Sequence, residues 1–170
     1  MMPAEFLATE ELMGSAIKWG ITLALAVSVF SAIWVLAGMH TNMPAAMGYL
    51  GVVILLNIVA VILALRESAS QNGYGGQLAA GVVLGLVGGG GIFLTSFIML
   101  TFVFPGAIPD QVAAFKVAYE AMPVTEAQKE LLVASLDTVT PVSSAFQGAI
   151  GTLFTSLIAG AITGAFLRKR

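Results

Sequence analysis

Residues 19–65 read WGITLALAVSVFSAIWVLAGMHTNMPAAMGYLGVVILLNIVAVILAL and contain no Asp, Glu, Lys or Arg. An ionised side chain at the centre of a lipid-embedded helix costs about 3 kcal/mol even on the more lenient scales. A charge-free run of this length therefore belongs in hydrocarbon. The short polar break His40-Thr41-Asn42 divides it into two spans, about 19–39 and 44–65, each close to the ~20 residues a crossing needs. Two further charge-free runs, 68–109 and 138–167, supply spans at about 77–104 and 141–167. The expected fold is all-α, a polytopic membrane protein in which 1–170 forms one membrane domain. Four transmembrane helices carry an external amphipathic helical hairpin, 105–140, between helices three and four.

Composition points the same way. Of 170 residues, 58% are hydrophobic and 9% are charged, whereas a soluble domain carries roughly 25% charged residues. The formal charge of −2 and the lack of a basic stripe argue against nucleic acid as a partner. With no cysteine, disulfides, thiolate metal sites and cysteine nucleophiles are excluded. Glu5, Glu10 and Glu11 precede the first apolar run, the opposite of the basic start of a cleaved signal peptide.

Local signals set the helix ends. Asn42 is a candidate cap before Pro44, and Thr140 before Pro141; proline suits the first helical turn. If four helices alternate, Lys18, Arg66, Arg168, Lys169 and Arg170 fall on one side, and only Lys116 and Lys129 on the other. The positive-inside rule then puts both termini in the cytoplasm. Trp19 and Trp34 near opposite ends of the first span, and Tyr74 before the third, suit the two membrane interfaces. In the segment between spans three and four, Val112, Phe115, Tyr119 and Met122 recur at helical spacing, with Asp110, Lys116 and Glu120 elsewhere. Pro123 ends that helix, and Thr125 with Gln128 forms a capping-box signature for a second, about 126–139. Five acidic residues against two lysines leave this hairpin at −3 (2 − 5). It is read as a cover over the bundle, with a docking surface for a partner as the alternative.

The candidate functional positions are small or neutral. Gly148, Thr152, Ser156, Gly160 and Gly164 repeat every fourth residue along the fourth span, so they share one stripe. Gly81, Gly85 and Gly89 do the same in the third, and Gly20, Ala24, Ser28 and Ala32 in the first. Small residues at this spacing let helix backbones approach closely in lipid. Packing within one bundle is the preferred reading, and a self-association face the alternative. Gly88, Gly89, Gly90 and Gly91 run consecutively through the third span. They must either admit a crossing helix at short range or form a kink, and a broken helix lining a substrate path would look similar. Asn57 and Gln147 are the isolated amides of spans two and four. His40, the single histidine, is read as a solvated interfacial residue.

Several of these stretches resemble a known group. Arg66-Glu67, Asn72-Gly73 and Gly75-Gly76-Gln77 lead into the third span, Phe104-Pro105 and Pro109-Asp110 leave it, and Thr140-Pro141 opens a glycine-rich span ending in Arg168-Lys169-Arg170. Over nearly the whole chain this pattern is similar to a bacterial family, domain of unknown function 4199. The resemblance implies a small bacterial inner-membrane protein and brings no catalytic residues with it. The four-glycine run departs from the family pattern. The functional expectation is a non-enzymatic membrane protein without cofactor or metal, a scaffold or accessory subunit whose partners are lipid and itself or other membrane subunits. The alternative is a small transporter or channel for a neutral or lipophilic solute, with 88–91 and Asn57 along its path.

Overall fold

A computed structural model describes residues 4–68 and 73–167. The basic tail Arg168-Lys169-Arg170 and Asn72, both used in the sequence reading, lie outside the described residues. Those described form six α-helices: α1 (Ala4–Leu36), α2 (Met43–Ser68), α3 (Tyr74–Ile98), α4 (Ala107–Glu120), α5 (Glu126–Leu136) and α6 (Pro141–Leu167). No strand occurs among them. Four helices are long and apolar enough to cross a membrane, over Glu10–Leu36, Met43–Glu67, Tyr74–Val103 and Pro141–Phe166.

The first span differs from the expected 19–39. α1 begins at Ala4, so it runs on through Glu10, Glu11 and Lys18. Charge limits how deep a helix sits in lipid, but not whether the helix forms, and Leu12 and Ala16 in this turn are buried against the bundle. α1 also stops short of Met39. Gly38 takes φ 69°, the left-handed conformation that ends helices and that glycine adopts without a Cβ clash. A single 3₁₀ turn, Met39–Thr41, then leads to α2.

Other termini follow the caps. The Ala45 amide donates to Asn42 Oδ1 at 3.1 Å, and the Ser143 amide to Thr140 Oγ1 at 3.1 Å. Thr125 and Gln128 exchange both bonds of a capping box at the start of α5. Replacing Thr125 with alanine removes an acceptor for an otherwise unpaired amide, at about 1 kcal/mol. Hydrogen exchange is expected to accelerate at Gln128 and Lys129 while the α3 amides stay unchanged. The third span is not α-helical to its end. Met99–Val103 forms a π turn, with the Phe104 amide donating to the Met99 carbonyl at 2.7 Å. Pro105 follows and has no N–H to continue the helix.

α3 packs between α1 and α6, and α2 closes the ring by touching both of those helices. α4 lies against the α1–α2 turn and pairs with α5. The face expected for α4 is observed: Val112, Phe115, Tyr119 and Met122 are partly covered, while Asp110, Lys116 and Glu120 are exposed. α5 ends at Leu136 rather than Val139. Outward rows such as Ile17, Ile21, Leu25, Val29 and Ile33 on α1, and Phe146, Ile150, Phe154, Ile158 and Ile162 on α6, are exposed. That is the surface a lipid-facing helix presents.

Candidate functional site

The glycines sort by face. A Cβ on Gly89 would stand 2.8 Å from the Ala149 carbonyl oxygen, one on Gly85 3.0 Å from Ser156 Cβ, and one on Gly81 3.2 Å from the Ser156 carbonyl oxygen. All three point into α6. Gly160 answers from α6, its Cβ position 3.2 Å from Gly81 Cα, while Gly164 meets Gln77 and Gly148 meets Ile92. The opposite face of α3 receives α1: a Cβ on Gly91 would sit 2.6 Å from Ala24 Cβ, and one on Gly88 3.4 Å from the Gly20 carbonyl oxygen. Gly90 has nothing within 4 Å and looks outward, in a shallow apolar groove with Phe93, Phe146 and Ile150. The α-helix runs unbroken through all four glycines, and Gly88, Gly89 and Gly91 meet neighbouring helices, so the run serves close packing on two sides. The irregular backbone lies further along, at the π turn.

Polar groups stitch the same seams. Asn57 is 1% exposed. Its Nδ2 donates to the Thr152 carbonyl at 3.0 Å, and its Oδ1 accepts from the Ser156 hydroxyl at 2.9 Å. The Ser28 and Thr95 hydroxyls lie 2.6 Å apart between α1 and α3. At the other end of the bundle Glu67 accepts from Ser15 and from Lys18, each at 2.8 Å.

Between the Asn57 layer and α4 the four long helices stand apart around a cavity of about 600 Å³. Its floor is Asn57, Ile92 and Thr152, and its roof is Ala107, Ile108 and Gln111 of α4. One wall is aromatic: Trp34 and Tyr49 lie 5.6 Å apart, each against Phe30, and the Tyr49 and Ser31 hydroxyls share a 2.7 Å hydrogen bond. The π turn contributes Met99 and Leu100. Among the described residues no Asp, Glu, Lys or Arg lines the cavity. Beyond the floor the bundle is tightly filled by Leu12, Val61, Leu65, Ala80 and Leu84, all 2% exposed or less. The cavity is therefore a blind chamber, open toward one half of the span.

Of the positions singled out in the sequence, Asn57, Gln147, Gly148 and Thr152 line this chamber. Ser156 lies just beneath its floor, bonded to Asn57. Gly88, Gly89, Gly90 and Gly91 do not line it, so of the path foreseen for a transporter only Asn57 belongs to it. The sequence reading missed the Trp34–Tyr49 wall and the π turn, and it placed His40 in solvent. Both ring nitrogens of His40 are buried and have no protein partner, and the residue lines the chamber beside α4. Among the described residues no three His, Asp or Glu side chains come together as a metal site.

A family model described as "Protein of unknown function (DUF4199)" matches residues 18–169. The chain belongs to this family. The match covers most of the first span, the other three spans and the α4–α5 hairpin, so DUF4199 here means an integral, multi-pass membrane protein built as a helical bundle. No curated protein and no solved structure matches the chain.

Proposed function

We propose that this DUF4199 member is a carrier that takes up a neutral, largely apolar small molecule in its blind chamber and performs no covalent chemistry on it. The observation that carries the reading is the chamber itself. Its volume of about 600 Å³ falls within the ~300–1,000 Å³ of small-molecule sites, which are mostly apolar with a few placed polar groups. An ionic solute would lose its hydration there with no counter-charge to replace it. The filled layer below Asn57 speaks for a carrier with one side open, not a continuous channel. The charge asymmetry of the sequence supports both termini in the cytoplasm of a cell's inner membrane, which turns α4 and the chamber outward.

The self-association reading is weakened because the small-residue stripes are used inside the bundle. An accessory-subunit role keeps support from the hairpin, whose Asp110, Glu120, Glu126, Glu130 and Asp137 are all exposed. A basic partner domain would fit that face.

The test uses Trp34 as reporter in a Trp19→Phe protein, titrated in detergent with tribromoethanol, a small uncharged quencher. Quenching is expected to saturate, and to become linear when Thr155→Phe fills the chamber. Linear quenching in both proteins would refute chamber binding.

A further inference from the structure

The chamber's exposed lining is one-sided. Leu50 and Ile54 of α2, and Gln147, Gly151 and Phe154 of α6, are the exposed residues among those that line it. Every lining residue from α1, α3, the π turn and α4 is buried or partly buried. Ala107 and Ile108 in the roof are 5% and 7% exposed. The opening is thus a slot between α2 and α6, at a depth where both helices face lipid. Below it Asn57 ties the same two helices shut through Thr152 and Ser156.

Building on the carrier reading, we propose that the chamber is loaded sideways from the bilayer through the α2–α6 slot, and that its occupant is an uncharged single-chain lipid of the leaflet beside α4. Depth supports this. From Met43 at the start of α2 to Asn57 is fourteen residues (57 − 43), about 21 Å of helix. One leaflet contributes about 15 Å of hydrocarbon, so the chamber spans one leaflet with room for a head. Its volume suits one chain rather than a paired-chain phospholipid. The head lies at the level of α4, where Gln111 and Gln147 supply amides and His40 presents two buried nitrogens without protein partners. Buried polar atoms seldom stay unpaired, and a hydroxylated head would pair them. The chain then runs past Val53 and Leu100 to the Asn57 floor.

Gly151 offers the test, because a side chain added there meets nothing within 4 Å and would stand in the slot. Trp19→Phe protein is reconstituted in phosphatidylcholine vesicles containing a small fraction of monoacylglycerol dibrominated on its chain. Matched vesicles carry the dibrominated free fatty acid or dibrominated phosphatidylcholine. Trp34 is expected to be quenched several-fold more by the monoacylglycerol than its molar share predicts, and not by the other two. Gly151→Phe should abolish the excess, with tribromoethanol quenching in detergent followed beside it. Gly90→Phe, an equally open glycine on the other seam, should change neither.

Excess quenching that persists in Gly151→Phe would overturn the lateral route and leave the carrier reading standing. No excess for the monoacylglycerol, or an equal excess for the fatty acid, would overturn the assigned ligand. Failure of tribromoethanol to saturate in the parent protein would remove the carrier reading itself.

Discussion

Gly89→Leu is expected to destabilise the bundle by about 3 kcal/mol, the upper end of the usual range for forcing extra atoms into a packed interior. Two effects oppose each other at this position. Leucine improves helix propensity over glycine by roughly 0.8 kcal/mol, which favours the variant. Against it, the new Cβ would lie 2.8 Å from the Ala149 carbonyl oxygen. That oxygen is backbone in the middle of α6, and no rotamer change can move it aside. Either α3 and α6 separate, or α6 shifts as a unit, and both disturb the contacts of Gly81 with Gly160 and of Gly85 with Ser156 along the same seam. The steric term wins. Gly90→Leu, one residue away, meets nothing within 4 Å, keeps the propensity gain and faces lipid. It should be neutral or slightly stabilising. The pair is read from the midpoint of denaturation by sodium dodecyl sulfate in mixed micelles, where α3 neighbours should move in opposite directions. Equal shifts would show that the glycine run sets helix flexibility and not interhelical distance.

That pair shows where sequence reading works and where it stops. The spans were legible because lipid imposes a rule on single residues: Glu67 and Asp110 bracket the third, and Asp137 precedes the fourth. The caps at Asn42, Thr125 and Thr140 were legible because they act within three residues. The stripe from Gly148 to Gly164 was legible as a packing face. Its partner was not, because a four-residue period says which side of a helix is small and nothing about which helix meets it. Gly90 looks like its neighbours in the sequence, and only the positions of α1 and α6 leave it outside both contacts.

The chamber was largely hidden for a related reason. Asn57 stood out as an amide in an apolar span and Thr152 as a member of the small-residue stripe, but Trp34 read as an interface aromatic and Tyr49 carried no signal of its own. His40 sits at the end of the first span and so reads as a solvated interfacial residue. α4 converts that end of the bundle from an interface into a roof, and its placement rests on contacts between segments distant in sequence. The π turn at Met99–Val103 has no sequence signal beyond Pro105 downstream. Amides at helix ends are ordinary, so Gln147 marked no cavity until Gln111 and His40 were placed beside it.

Asn57→Asp is expected to cost about 3 kcal/mol, the penalty of an ionised carboxylate at the centre of a membrane helix. The wild-type amide serves as donor and acceptor at once, giving Nδ2–H to the Thr152 carbonyl and taking the Ser156 hydroxyl on Oδ1. A carboxylate keeps the second bond and turns the first into a confrontation of two acceptors 3.0 Å apart. Asn57→Leu is much milder, about 1 kcal/mol, in line with hydrogen bonds measured between membrane helices. The reason is local. With the amide gone, the Thr152 carbonyl is free, and Ser156, four residues on, can donate back to it along its own helix. Leucine also fills the space, so the chamber floor stays closed. The expected order of stability is therefore wild type, then Leu, then Asp, measured by thermal denaturation of purified protein in one detergent. Tribromoethanol quenching of Trp34 should still saturate in Asn57→Leu, because the floor separates the chamber from the filled half by shape as well as by hydrogen bonds. If leucine proved as damaging as aspartate, the amide would be joining α2 to α6 through bonds that Ser156 cannot replace. The assignment of the Asn57 layer as a satisfied, replaceable seam would then have to be given up.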